Sequence, residues 1–133
     1  MLSDADWQAL RAAARAASAH AHCPYSRFAV GAAVRVADGR IFTGCNVENA
    51  SFGLTICAER NAVFQAVAAG AKDVVAVAVY TPTSQPVSPC GACRQVIAEF
   101  GPADVMSSCD GETTKRWTAA ELLPDAFGLK ARG

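Results

Sequence analysis

Two segments of this sequence begin an apolar run with side chains that could do chemistry. In TICAERNAVFQAV a thiol and a carboxylate, Cys57 and Glu59, stand where alanine or leucine would pack better. In SPCGACRQVIAEF the thiols of Cys90 and Cys93 are three positions apart. Residues at i and i+3 share one helix face, so this second pair can grip one ion. The two segments have the form of two halves of one site.

Both segments read as helices, and the start of a helix suits anionic groups. Unpaired backbone N–H groups and the positive end of the helix dipole stabilise thiolates there and lower their pKa. Cys57 and Glu59 would diverge inside a helix, but at its N-terminus both can reach a ligand beyond the helix end. If the two helix starts converge, three thiolates surround one Zn²⁺ and leave a fourth position open, which is typical of a catalytic zinc.

Other interpretations of these residues stay open at this point. A Cys-x-x-Cys pair also occurs in dithiol oxidoreductases and as two buried thiols. Cys57 alone could be a small core residue, and Glu59 alone could be a solvated partner of the helix dipole. A non-catalytic zinc module would recruit a fourth ligand such as Cys45.

The other thiols and the two histidines carry weaker signals. Cys23, Cys45 and Cys109 have no partner at ligand spacing, so we interpret them as packing residues. His20 and His22 end the first helix, where a cation suits the dipole, and are poor candidates for metal ligands.

Composition limits the kind of protein to which such a site can belong. The 133 residues fit a single domain, residues 1–133, that is large enough to bury a core. The longest strongly apolar stretch, VVAVAVY, is far too short to span a bilayer, and the N-terminus lacks a secretory signal, so we expect a soluble cytoplasmic protein with reduced thiols. Twelve basic and twelve acidic residues cancel, which argues against a nucleic-acid groove.

The elements that must position the thiols alternate along the chain. A first helix carries a Ser3 and Asp6 capping pair, and ADGR turns a hairpin. The first hairpin strand is predicted from alternating apolar residues: Phe28, Val30, Ala32, Val34 and Val36. CAERNAVFQAVAAG is a second helix closed by Gly70, and VVAVAVY is a buried central strand.

The remaining elements follow the second thiol segment. Ser88 is predicted to cap the third helix, with Pro89 at its first position and Gly101 at its end. ADVMSSC and ETTKRWT read as short strands, and a capping box from Thr118 to Glu121 begins a last turn. Together these elements predict an α/β domain of three layers, with a mixed β-sheet of about five strands between helices.

The segments GCNVENASFGLTICAERNAV and SPCGACRQVIAEF closely resemble the small, homotetrameric cytidine deaminases. The likeness runs from PYSRFAVGAAV to LLPDAFG, roughly four fifths of the chain, and the motif is that of zinc deaminases, with Cys or His, one residue, Glu, and a distant Pro-Cys-x-x-Cys. It implies the cytidine deaminase-like fold. It also implies that Cys57, Cys90 and Cys93 hold one Zn²⁺ per chain and that Glu59 is the proton shuttle.

The same resemblance implies roles for residues that would otherwise be ordinary. Asn46 and Glu48 would hold the ribose hydroxyls, although a turn Asn and a solvated Glu look the same. Phe28 would stack on the pyrimidine and Arg60 would donate to the thiolates, where the alternatives are a core ring and a surface arginine. Phe127 would cover a neighbouring subunit's site, unless its ring folds back on its own core.

The implied activity is hydrolytic deamination of free cytidine and deoxycytidine, with release of ammonia, in pyrimidine salvage. The implied partner is a small pyrimidine nucleoside rather than nucleic acid or a membrane, bound by a homotetramer with shared active sites. Relatives that act on another aminated heterocycle or on polynucleotide share the zinc motif, but the ribose pair and the neutral charge argue against both. This chain has Phe52 where the family often has tyrosine, which removes any contact that the hydroxyl would make.

Overall fold

The computed structural model describes residues 1–129. Five strands form one sheet in the order β2-β1-β3-β4-β5. β3 runs parallel to β4 and the other neighbours are antiparallel, so the sheet is mixed, as predicted. The elements in chain order are α1 (Asp4–Ser18), β1 (Gly31–Val36), β2 (Ile41–Cys45), α2 (Ala58–Ala68), β3 (Val74–Tyr80), α3 (Gly91–Phe100), β4 (Asp104–Ser108), β5 (Lys115–Thr118) and α4 (Ala119–Leu122), with a 3₁₀ turn at Phe52–Leu54.

Helices cover both faces of this sheet. α1 packs its buried Trp7 and Leu10 onto one face, and α2, α3 and α4 pack onto the other, where Val63 and Ile97 are buried. β3 lies in the centre of the sheet and is almost entirely buried. The predicted three-layer architecture and the central strand are therefore confirmed.

The predicted helix signals mostly hold. The Ser3 hydroxyl accepts from the Asp6 N–H at 3.1 Å and the Asp6 carboxylate accepts from the Ser3 N–H at 2.9 Å, which completes a capping box at the start of α1. Thr118 and Glu121 form the same box at α4. Gly70 adopts a φ of 86° just past α2, a left-handed conformation that favours glycine and ends the helix.

The predicted start of the third helix was wrong. α3 begins at Gly91, and Cys90, with extended backbone angles, is its N-cap. Ser88 does not cap the helix, because its hydroxyl instead accepts from the Arg94 guanidinium at 2.9 Å. Pro89 therefore lies in the approach to the helix, while Gly101 ends it as predicted.

The predicted first strand was too long at its N-terminal end. β1 begins at Gly31, so Phe28 lies in the preceding loop. The Asn46 side chain replaces ladder hydrogen bonds there: its amide donates to the Phe28 carbonyl at 2.7 Å and accepts from the Val30 N–H at 2.9 Å. Arg27, with a φ of 57°, turns the chain just before Phe28.

A close approach of α2 to β2 places the first thiol segment. A Cβ on Gly44 would lie 2.5 Å from the Ala62 nitrogen and 2.6 Å from the Ala58 carbonyl oxygen, so the helix backbone rests directly on the strand. The Asn61 amide donates to the Cys45 carbonyl at 2.8 Å and fixes the same contact. The N-terminus of α2 is thereby held beside the end of β2.

Within residues 1–129, the helices are too short or too polar to cross a membrane.

Candidate metal centre and adjoining pocket

Two helix N-termini bring three thiols together. Cys57 is the N-cap of α2, Cys90 is the N-cap of α3, and Cys93 lies in the first turn of α3. Their sulfur atoms all lie within 4.8 Å of one another, and those of Cys57 and Cys90 are 3.8 Å apart. A disulfide would need about 2.05 Å. The predicted convergence of the two segments is confirmed, and the three cysteines are free thiols.

One sulfur–sulfur separation in this cluster matches that of a tetrahedral Zn²⁺ site. Zn–S bonds of about 2.3 Å in a tetrahedron place the sulfurs about 3.8 Å apart, which matches the separation of Cys57 and Cys90. In the described part of the chain the cluster contains three potential ligands, and Cys45 is not among them. The geometry therefore favours a three-ligand site over a zinc module closed by Cys45.

Positive charge and hydrogen bonds stabilise the thiolate form of Cys57. The Cys93 thiol and the Arg60 guanidinium, whose Nη2 lies 3.4 Å from the Cys57 sulfur, lower the pKa of Cys57 to about 5. The hydrogen bond between Cys93 and Cys57, together with burial, raises the pKa of Cys93. Arg60 thus contacts the cluster directly.

Glu59 lies next to the sulfur cluster and is buried, which is unusual for a carboxylate. Its side chain belongs to the second residue of α2, and the residue is only 5% exposed. Burial raises the pKa of Glu59 to about 7, although its own backbone N–H and the Cys93 thiol lower it in part. A buried carboxyl group with a pKa near neutrality can both take and give a proton.

A cavity of about 380 Å³ opens beside Cys57 and Glu59. The sequence-predicted residues Phe28, Asn46 and Glu48 also line it, so the structure brings these five together. Val47 lines a different cavity, as expected if alternate residues point to opposite sides. The remaining lining residues were not singled out from the sequence: Ser26, Val30, Thr55, Ala58, Val79, Thr81, Val87 and Ser88.

Ser26 is the most informative of the residues that sequence reasoning missed. Its hydroxyl donates to the Glu48 carboxylate and accepts from the Phe28 N–H at 3.0 Å. The same carboxylate accepts the N–H groups of Tyr25 and Ser26 at 3.0 and 3.2 Å, and these bonds, that from the Ser26 hydroxyl first, lower the pKa of Glu48. A serine two residues before Phe28 is a weak turn signal that could have drawn attention to it.

Phe127 lies apart from the cavity of its own chain. Its ring is 72% exposed, so it does not fold back onto the core, and its carbonyl accepts from the Gln95 amide at 3.0 Å. The other cysteines and the two histidines lie outside the sulfur cluster. Cys109 is buried and Cys23 and Cys45 are partly buried, in keeping with packing roles.

Comparison with known proteins agrees with this geometry. Residues 4–109 match the model of the cytidine and deoxycytidylate deaminase zinc-binding region. The chain is 54% identical over 110 residues to a cytidine deaminase from Halalkalibacterium halodurans, covering 80% of this chain and 83% of that protein. It is 47% identical over 128 residues to one from Mycobacterium tuberculosis, covering 96% and 94%. The crystal structure of a Burkholderia pseudomallei cytidine deaminase superposes with a TM-score of 0.88 at 48% identity, covering 95% of this chain and all of that one.

Proposed function

Because the chain belongs to the cytidine deaminase family, we propose that it hydrolyses cytidine and deoxycytidine to uridine and deoxyuridine and releases ammonia, as a step of pyrimidine salvage. One observation carries the proposal: a single cavity is lined by a thiol of the three-cysteine cluster, by the buried Glu59, and by an aromatic ring and two polar side chains, those of Phe28, Asn46 and Glu48. Such a cavity is within the size range of small-molecule sites.

The cofactor is Zn²⁺, one per chain, held by Cys57, Cys90 and Cys93. When bound, zinc lowers the pKa of a water molecule toward about 7 and so supplies a nucleophile at neutral pH. The three thiolates carry one more negative charge than the two positive charges of the ion, which would make the ion less effective in lowering the pKa of the water. Arg60 and the two helix N-termini withdraw charge from the sulfurs and offset that excess.

Glu59 moves the protons of the reaction. It takes a proton from the attacking water and delivers it to N3 of the base, so that C4 becomes electrophilic. It then takes the second proton of that water, from the hydroxyl group now on C4, and delivers it to the departing amine. Water adds at C4 and the C4–N bond breaks, so the products are the uracil nucleoside and ammonia. Burial of Glu59 supports the assignment, because it brings the pKa of the carboxyl group close to neutrality.

The cavity fits a free nucleoside better than a nucleotide. In our proposal Phe28 stacks on the pyrimidine while Asn46 and Glu48 receive the ribose hydroxyls. Glu48 is an anion at the sugar end, and among residues 1–129 no lysine or arginine that would neutralise a phosphate lines the cavity. A 5′-phosphate would therefore meet repulsion from the Glu48 carboxylate.

We further propose a homotetramer, with Phe127 covering the site of a neighbouring subunit. Phe52, Leu54 and Phe127 are 75%, 64% and 72% exposed, and large exposed apolar side chains mark association surfaces. We also place the enzyme in the cytoplasm, since three free thiols at a metal site require a reducing compartment.

A direct test loads the protein with zinc and follows the loss of cytidine absorbance together with ammonia release. We expect one ammonia per cytidine, turnover of deoxycytidine as well, and at least a hundredfold lower kcat/KM for cytidine 5′-monophosphate. Loss of absorbance without ammonia would contradict deamination, and equal activity on the nucleotide would contradict the nucleoside assignment.

Sharing of sites between subunits has its own test. Two inactive proteins, one with Glu59→Gln and one with Phe127→Ala, are mixed and allowed to exchange subunits. Hybrids in which an intact Phe127 faces an intact Glu59 are expected to regain activity. If native mass spectrometry confirms exchange and the Phe127→Ala parent is inactive, absence of recovery refutes the shared site.

A further inference from the structure

The guanidinium group of Arg94 connects three parts of the molecule around the metal site. Its Nη2 donates to the Ser88 hydroxyl at 2.9 Å and its Nε donates to the Pro89 carbonyl at 2.7 Å. Its Nη1 donates to the Leu122 carbonyl, at the end of α4, at 2.9 Å. One side chain of α3 therefore holds both the loop that leads into the helix and a segment far along the chain.

The loop that Arg94 holds carries the most exposed of the three thiols. Cys93 is buried and Cys57 is partly buried, so surrounding side chains restrict both sulfurs. Cys90 is exposed and sits at the N-cap, where its position depends on the backbone of the residues just before α3. Those residues are Ser88 and Pro89, the two loop residues that receive hydrogen bonds from Arg94.

The third acceptor of Arg94 belongs to α4, a helix that depends on contacts with the rest of the molecule. α4 spans four residues, Ala119–Leu122, and a helix this short is unstable by itself. Arg94 holds its last carbonyl, and the next residue of α3, Gln95, donates to the carbonyl of Phe127 at 3.0 Å. Consecutive side chains of α3 thus hold two points of the C-terminal segment.

We propose that Arg94 is a positioning residue for the metal site, which keeps Cys90 in place by tying its loop to α4. The inference rests on the zinc binding of the proposed function. The three acceptors lie in different directions, so a planar fork with several fixed donors suits them, and a lysine ammonium cannot reach all three at once. Loss of the guanidinium group frees Ser88 and Pro89, and with them the sulfur of Cys90, which follows in the chain.

The test measures zinc release under native conditions with a chromophoric chelator in excess. Changes in residues that orient metal ligands typically cost about ten to a hundredfold in metal affinity. We expect Arg94→Gln to release zinc at least about tenfold faster than the wild type and Arg94→Lys to fall between them. Hydrogen exchange of peptides covering residues 119–129 is expected to accelerate in the same order, because α4 loses its tie.

Arg11→Gln is the matched control. Arg11 lies on α1, on the opposite face of the sheet, and its guanidinium also donates to a backbone carbonyl, that of Gly111, at 3.0 Å. This variant loses an arginine hydrogen bond on the other face of the sheet from Cys57, Cys90 and Cys93, so we expect zinc release within twofold of the wild type. If Arg94 only stabilised the fold, Arg94→Gln and Arg11→Gln would both lower the midpoint of unfolding. Zinc release would then not become faster in Arg94→Gln alone.

Zinc release at the wild-type rate in Arg94→Gln would overturn the proposal, and so would faster release with unchanged exchange in residues 119–129. If Arg94→Gln fails to fold, the same two criteria apply to Arg94→Lys. Cytidine turnover is recorded on the same samples. A wild type that binds zinc but does not deaminate cytidine would refute the proposed function while leaving the zinc-release comparison valid.

Discussion

Replacement of Asn46 by alanine tests whether this residue holds the site together in addition to the substrate-binding role that we propose for it. Asn46 is 8% exposed, and its amide accepts from the Val30 N–H at 2.9 Å and donates to the Phe28 carbonyl at 2.7 Å. Both bonds are complete before any ligand binds. Asn46→Ala therefore disturbs the empty protein.

The expected magnitude follows from these two hydrogen bonds. Each is worth about 1 kcal/mol net, and a buried group that loses its partner costs about 1 to 3 kcal/mol. Since Phe28 and Val30 are only partly shielded from water, which can satisfy them in part, we expect a loss of about 2 to 3 kcal/mol in the free energy of unfolding. Phe28 is then free to leave the cavity wall, so KM for cytidine is expected to rise about tenfold, equivalent to about 1.4 kcal/mol.

Two assays check the prediction: denaturant unfolding of the zinc-loaded protein and steady-state kinetics. Asn61→Ala is the control. Its amide donates one bond, to the Cys45 carbonyl, away from the cavity, and the close approach of α2 to Gly44 still holds the helix on β2 without that bond. We expect it to cost about 1 kcal/mol with an unchanged KM. If Asn46→Ala unfolds within about 0.5 kcal/mol of the wild type, Asn46 does not hold the Phe28 segment and our account is wrong, whatever happens to KM.

Three further perturbations address the metal, the proton shuttle and the helix that carries them. Glu59→Gln is expected to keep zinc and lower kcat by at least about a hundredfold, because it removes proton transfer and spares the ligands; a loss below tenfold, with zinc measured by elemental analysis, would contradict the assignment. Cys57→Ala, or treatment of the wild type with a strong chelator, is expected to remove zinc and lower the unfolding temperature, because a metal bound only by the folded state stabilises it; identical melting curves would speak against this. Gly44→Ala is expected to lower the free energy of unfolding by at least about 2 kcal/mol, because the added Cβ would lie 2.5 Å from the α2 backbone. Gly53→Ala is the control, because an added Cβ there has nothing within 4 Å, and chemical denaturation should show nearly unchanged stability.

The metal cluster was predictable because its signals are local. A thiol at the start of an apolar helix is visible in the sequence, and the helix N-terminus explains why it belongs there. The sequence alone left a redox pair or a fourth ligand such as Cys45 open. Sulfur positions distinguish these possibilities, since convergence of Cys57 with Cys90 depends on how α2 and α3 pack.

The boundaries that failed depend on contacts between distant residues. Periodicity extended β1 back to Phe28, but the ladder there is replaced by the side chain of Asn46, eighteen positions along the chain. Ser88 and Pro89 have the composition of a helix start, yet the Ser88 hydroxyl is taken by Arg94. Local propensity carries no information on either partner, so neither correction could be made from the sequence.

The hydrogen bonds of Glu48 bear on our proposal that this residue, which shapes the loop, also receives a ribose hydroxyl. An ionised carboxylate offers about four acceptor positions. One oxygen uses two of them for the N–H groups of Tyr25 and Ser26, and the other uses one for the Ser26 hydroxyl. Among the hydrogen bonds of residues 1–129, a single position on that second oxygen stays available, and its direction is fixed by the three bonds already made. A ribose hydroxyl can therefore bind without displacing the loop, and little of the binding energy is lost to ordering the site, because the carboxylate is held in place before the nucleoside arrives.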